Sequence, residues 1–263
     1  MNLFCVKAKF FLSSDIVRKY KLAICNRLYN KFSCMALVLC METATERCSI
    51  VVASEGNIIE KIYSSGDFDH TAQLTLLIEK CLRLGNLQLS DLDAIAISIG
   101  PGSYTSLRAG LSTAKGLSYG LDLPLLPIDS LSIIAAGAIQ EHSPAKATLY
   151  VPMIDARRME VYTAIYSPTG ETLEMANAAI LTPDSFCTYF EQEISLVFAG
   201  NGAPKFSLIA SSPFAIFSSV RSDATYMPAL AEKAYQQKAF ADVAYIEPFY
   251  LKPPNITVPK KQI

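Results

Sequence analysis

The sequence predicts an α/β fold of two lobes, the second a reduced copy of the first. Three observations carry this expectation. Strands and helices alternate from Met35 onward, a strand-turn-strand opening occurs twice, and an acid closes the first strand of each copy: Glu42 after residues 36–41 and Asp155 after residues 149–154. The chain of 263 residues is long enough for two such lobes at ~150 residues per domain. With 51% hydrophobic and 18% charged residues and a mean hydropathy of +0.27, it has the composition of a folded globular protein.

Residues 36–41, 47–54 and 57–63 are β-rich runs, and Ser54-Glu55-Gly56-Asn57 between the last two is turn chemistry, so the chain opens as an antiparallel meander. A helix is expected over residues 69–84, with Asp69 as N-cap, Leu74, Leu77, Ile78, Cys81 and Leu84 on one stripe, and Gly85 as the stop. A buried strand at 93–99, a helix at 105–119, a strand at 125–128 and a helix from Ser130 complete a βββαβαβα order. Parallel strands joined in this way need right-handed crossovers and a sheet covered on both faces. The plan restarts at 149–154 and 159–166, followed by a third strand after the turn Ser167-Pro168-Thr169-Gly170, and later by a strand at 196–199. The lobe boundary is expected in the polar stretch 142–147, dividing a first lobe, 35–143, from a second, 144–263.

Charge is distributed unevenly. Residues 1–34 carry a net +6, which leaves −7 on the rest. An acidic body argues against broad phosphate-backbone binding by this chain alone. The basic leader reads as an upstream start-site extension ahead of Met35, with a targeting peptide or a native arm as the other readings. The seven cysteines (5, 25, 34, 40, 48, 81 and 187) contain no CxxC pair and no histidines in ligand spacing, so they are expected to be reduced cytosolic thiols. No apolar run approaches the ~18 residues of a membrane span.

The densest candidate for chemistry is Gly100-Pro101-Gly102-Ser103-Tyr104-Thr105-Ser106-Leu107-Arg108, a turn from a buried strand into a helix N-terminus, where backbone N–H groups hold anions. It lacks the P-loop lysine, and a tight turn capped by Ser103 or Thr105 is the plainer reading. Glu42, Thr43 and Thr45 stand where an actin-like ATPase holds phosphate or its metal, but Ala44 replaces the glycine such a loop needs. Ala156-Arg157 in the second half is blunted too. His70 has no second histidine three or four residues away, and Cys40, Cys48 and Cys81 show no activating base. No catalytic set, metal site or bound cofactor is expected. The helix at 105–119 is unusually rich in small residues, with Ser106, Ala109, Gly110, Thr113, Ala114 and Gly116. Glycines inside a helix cost about 1 kcal/mol each against alanine, so close approach by a sheet, a helix or another subunit is expected to offset them. Ala72 and Leu76 lie opposite the core stripe of the preceding helix.

Glu42-Thr43-Ala44-Thr45-Glu46-Arg47-Cys48-Ser49, His70-Thr71-Ala72-Gln73, the Gly100 to Gly110 stretch, Thr113-Ala114-Lys115-Gly116-Leu117, Ile154-Asp155-Ala156-Arg157 and the tail Glu247-Pro248-Phe249-Tyr250-Leu251 together resemble the TsaB family, from about residue 35 to 251. Glu42 stands for the usual Asp, Ser106 for a usual Gly and Ala109 for a branched residue. The resemblance implies an α/β two-lobed ASKHA duplication (actin/Hsp70, ribonuclease H-like), of βββαβα order in each lobe, degenerate as an ATPase. It further implies a non-catalytic subunit that pairs with a TsaD-like catalytic paralogue and a TsaE-like ATPase in the cytoplasm. That machinery places threonylcarbamoyl on N6 of the adenosine beside the anticodon of tRNAs reading A-starting codons, and this subunit is expected to meet tRNA only through the complex. The partner face it implies comprises Ala72, Leu76, Glu79, Arg83, Ser106, Ala109, Gly110, Thr113 and Ala114, with a homodimer through the same helices as an alternative. Glu42, Thr43, Thr45, Gly100, Gly102 and Ser103 are left as a nucleotide site shared with the partner. A stand-alone kinase or glycoprotease-like hydrolase on the same fold is the rival expectation.

Overall fold

A computed structural model describes residues 36–64, 70–142 and 148–253, and residues from Leu37 onward form one compact unit. The leader, Asp69, residues 143–147 in the expected lobe boundary, and the side chains of His70, Thr71 and Ala72 lie outside the described residues.

The first sheet has five strands. Strands β1 (Leu37–Glu42), β2 (Ser49–Ser54) and β3 (Asn57–Tyr63) form the antiparallel meander, while β4 (Ala94–Gly100) and β5 (Leu125–Asp129) add in parallel, giving the order β3-β2-β1-β4-β5. Parallel neighbours need crossover connections, supplied by α1 (His70–Leu84) and α2 (Tyr104–Leu121). The central strands are buried on both faces, which explains their continuous apolar runs.

The second sheet repeats the first. Strands β6 (Thr148–Asp155), β7 (Glu160–Tyr166) and β8 (Thr172–Ile180) form the meander, and β9 (Ser195–Ala199) and β10 (Ala215–Phe217) add in parallel on the other side of β6. Strand for strand the two orders coincide. The reduction lies in the helices: α4 (Cys187–Phe190) and α5 (Ala203–Ser207) are single turns where the first sheet has α1 and α2. Helix α3 (Ser130–Glu141) packs on strands of both sheets, so it is apolar nearly all round. Helix α6 (Pro228–Gln236) lies against β1 and β5. No helix among the described residues is long and apolar enough to cross a membrane.

Two expectations shift. On α1 the buried stripe is Leu74, Leu77, Ile78, Cys81 and Leu82, whereas Leu84 is exposed, because the 3.6-residue period carries the 74-78-82 row inward. The left-handed residue that turns the chain after α1 is Asn86 (φ 55°), not Gly85, and the Leu87 amide closes back on the Leu82 carbonyl at 2.8 Å.

Candidate functional site

Strand β1 delivers Glu42 to a fully buried position where the two repeats meet. Its Oε1 accepts the Ala44 amide at 2.5 Å, while Oε2 has no hydrogen-bond partner. Burial pushes the carboxyl up to about 7. The Ala44 amide and the nearby Ser222 and Ser98 hydroxyls pull it down, though neither hydroxyl completes a hydrogen bond to Oε2, and Asp223 pushes it up again. The 218–226 segment is fastened here by the Ala224 amide, which donates to Ser49 Oγ at 2.8 Å.

The two loops that would cradle phosphate are packed on each other. A Cβ on Gly102 would stand 2.3 Å from the Ala44 carbonyl oxygen, and the Ser103 amide donates to that same oxygen at 2.8 Å. Thr43 lies against α2, where a Cβ on Gly110 would meet its Oγ1 at 2.1 Å, and the Thr43 amide donates to Ser98 Oγ at 3.1 Å. Thr45 is buried beside them. Glu42, Thr43, Thr45, Gly100, Gly102 and Ser103 are therefore brought together, and the chain's own Ala44 carbonyl fills the space beside Gly102. In the second repeat Gly200 and Gly202 make the matching approach. A Cβ on Gly200 would meet the Met153 oxygen at 2.2 Å, and the Gly202 amide donates to that oxygen at 3.0 Å. The two acids matched by the repeat end in opposite surroundings. Asp155 is exposed, pairs with Lys205 Nζ at 2.7 Å and accepts the Arg157 amide at 2.6 Å.

The C-terminal tail explains the Gly100 turn. Gly100 has φ 121°, and a Cβ there would come within 2.5 Å of the Phe249 oxygen; the Phe249 amide donates to the Ile99 carbonyl at 2.7 Å. Tyr250 stacks on Tyr104 at 4.3 Å and accepts a hydrogen bond from Arg108 Nε at 2.9 Å. Lys115 Nζ donates to the Ala244 and Ile246 carbonyls, each at 3.2 Å, and the Tyr104 hydroxyl donates to the Lys252 carbonyl. Lys252 in turn pairs with Glu160 on β7. The tail thus straps α2 to the second repeat. The polar stripe Arg108, Lys115 on α2 holds this strap, a role sequence spacing did not assign.

The α1–α2 face carries a groove of about 640 Å³, lined among others by Ile78, Glu79, Leu82, Arg83, Thr113 and Gly116. Nothing lies within 4 Å of where a Cβ on Gly116 would stand. Leu76 is 63% exposed. Of the expected partner face, Leu76, Glu79 and Arg83 are exposed, and Ala109 and Thr113 are half-buried. Ser106, Gly110 and Ala114 are corrected: they are buried in the chain's own fold, Ser106 donating to Ser103 Oγ at 3.1 Å, Gly110 against Thr43, and Ala114 in the first-sheet core. Small size at these positions serves the monomer.

Cys40, Cys48 and Cys81 are buried, with burial pushing their thiols up to about 12, 12 and 11, which makes them inert. No cluster of three metal-ligating side chains exists among the described residues. Sequence reasoning missed Ser222 and Asp223. The Asn201 side chain accepts the Asp155 amide at 3.0 Å and donates to Glu46 Oε2 at 2.9 Å, joining the two repeated loops.

The family model described as "TsaD: tRNA N6-adenosine threonylcarbamoyltransferase" matches residues 61–258. The tRNA threonylcarbamoyladenosine biosynthesis protein TsaB of Haemophilus influenzae is 30% identical over 224 residues, covering 82% of this chain and 93% of that protein. The tRNA N6-adenosine threonylcarbamoyltransferase of Staphylococcus haemolyticus is 30% identical over 173 residues, covering 53% of this chain and 51% of that protein. The solved structure of YeaZ from Pseudomonas aeruginosa is 28% identical and superposes with a TM-score of 0.69, covering 82% of this chain and 100% of that one. The duplicated sheets and this likeness make the fold a two-lobed ASKHA type. Because the match to TsaB runs over nearly all of that protein and the match to the transferase over only half, this chain belongs to the TsaB family, within the wider family that the transferase model describes.

Proposed function

We propose that this chain is a non-catalytic scaffold subunit in tRNA threonylcarbamoyladenosine biosynthesis, binding a TsaD-like transferase through the exposed face of α1 and α2. The observation that carries this reading is the open apolar groove on that face, bordered by Glu79, Arg83, Thr113 and the bare Gly116, with exposed Leu76 on the same helix. Exposed apolar area of this kind marks a contact surface. Leu76, Glu79, Arg83, Ala109 and Thr113 form the partner set, with Ala72 joining it from the first turn of α1. The filled space between Ala44 and Gly102 supports a role without phosphate chemistry of its own. A TsaE-like ATPase completes the assembly, and the product is the threonylcarbamoylated adenosine beside the anticodon.

Leu76→Glu tests the reading. Thermal unfolding of the isolated, dilute chain is expected to be nearly unchanged, because the side chain is exposed. Association with the TsaD-like subunit and tRNA modification in the reconstituted system are expected to fall, since a carboxylate buried without a partner is costly. Undiminished association and modification would overturn the proposed face.

A further inference from the structure

Beside the strap, five cations gather at one edge of the junction between the repeats: Arg108 on α2, Arg157 and Arg158 at the β6–β7 turn, Lys205 on α5 and Lys252 in the tail. The linkages are direct. Arg108 holds Tyr250, Tyr250 stacks on Tyr104, Tyr104 bonds the Lys252 carbonyl, Lys252 pairs with Glu160, and the Glu160 amide donates to the Arg157 carbonyl at 3.1 Å. Lys205 reaches the same turn through Asp155 and the Glu160 carbonyl at 3.1 Å.

Two of the carboxylates at this edge are paired with lysines and a third bonds a neutral amide. Asp155 is held by Lys205, Glu160 by Lys252, and Glu46 accepts from Asn201. Among the described residues the guanidinium groups of Arg108, Arg157 and Arg158 have no carboxylate partner, and all three residues are exposed. Arg157 and Arg158 also stand in succession at positive φ, 72° and 50°, a conformation that Gly or Asn adopts at lower cost. Over residues 35–263 the chain as a whole is net negative by 7, so an edge that presents three arginines without carboxylate partners is a local reversal of sign. Planar guanidinium groups match phosphate oxygens in bidentate fashion, and cations set beside stacked aromatic rings are the chemistry of contact with unpaired RNA.

The geometry points to this edge as an RNA contact surface, at which Arg108, Arg157 and Arg158 engage backbone phosphates of the tRNA while the α1–α2 face, on other elements, holds the protein partner. The inference rests on the proposed role in tRNA modification and adds to it a direct contact between this chain and the substrate. It also refines the expectation from net charge alone: the body as a whole repels phosphate, and one edge does not.

The test uses the full chain in complex with its TsaD-like partner and measures tRNA affinity as a function of salt. Arg157→Gln with Arg158→Gln is the main variant, and Arg157→Lys with Arg158→Lys is the charge-conserving control. The glutamine pair is expected to weaken tRNA binding about tenfold and to reduce the slope of log affinity against log salt by about 1 to 2, with association between the subunits unchanged and the lysine pair retaining most of the binding. An unchanged affinity and slope in the glutamine pair, with normal binding by the unaltered complex, overturns this inference alone. Loss of subunit association with tRNA affinity intact overturns it too, and assigns the arginines to an acidic protein surface. Failure of the unaltered complex to bind tRNA at all overturns both this inference and the proposed function beneath it.

Discussion

Thr43 and Gly110 meet where β1 runs out against α2, so closely that a Cβ on Gly110 would lie 2.1 Å from Thr43 Oγ1 and 3.0 Å from Thr43 Cβ. The glycine inside this helix is thus required by the loop after β1. Gly116, two turns later, opens onto the groove with nothing within 4 Å.

These two glycines should respond oppositely. Gly110→Ala is expected to destabilise the isolated chain by about 1–3 kcal/mol through overpacking against Thr43. Gly116→Ala should stabilise it by up to about 1 kcal/mol, the helix-propensity difference, while weakening association if a partner approaches the bare backbone. Thermal unfolding of the chain alone, set against affinity for the TsaD-like subunit, checks both.

Glu42 predicts a pH dependence. Its folded-state value of about 7 lies above the ordinary 4.5 because burial disfavours the charge, so the folded state binds the proton more tightly than the unfolded one. The associated stability is present in full below about pH 4.5 and is lost as pH rises through about 7. Glu42→Gln, which keeps an acceptor for the Ala44 amide, is expected to be more stable than the parent at pH 8, by on the order of 2–3 kcal/mol, and to show little advantage at pH 5. Denaturant titrations at the two pH values decide it; equal differences at both would show that Glu42 does not titrate between them.

The strap should be separable from the core. Tyr250→Ala removes the ring stacked on Tyr104 and the acceptor of Arg108, a loss of about 1–2 kcal/mol. Limited proteolysis is expected to cut the variant after residue 243 faster than the parent, with cleavage elsewhere unchanged. An equal rate in both would mean that the remaining contacts, those of Lys115, Lys252, Tyr104 and the Phe249 amide, suffice to hold the tail.

The purified chain by itself is expected neither to hydrolyse ATP nor to cleave peptides, given the space filled between Ala44 and Gly102 and the buried, raised thiols. A turnover well above background that disappears in Glu42→Ala would overturn this.

The sequence by itself determined the order of strands and helices, the duplication and the blunted loops, because these depend on local signals: apolar period, turn residues, and the presence or absence of a glycine at a known offset. It also brought Glu42, Thr43, Gly100 and Gly102 into one candidate cluster, since all four sit at strand ends on the same edge of one sheet. Tertiary structure decided what that cluster does. Whether a glycine gives room to a ligand or to the chain's own carbonyl depends on which loop arrives opposite it, and Ala44, Met153 and Phe249 arrive there through long-range packing that no local pattern encodes. The same reason separates Gly110 from Gly116, two small residues on one helix that spacing treats alike, and separates Glu42 from Asp155, two acids in equivalent positions of the repeat. The second repeat's 218–226 segment folds back to bury the first, while the second acid is left in solvent beside Lys205. Burial, which sets both the charge of a carboxylate and the availability of a surface, is a property of the whole assembled chain.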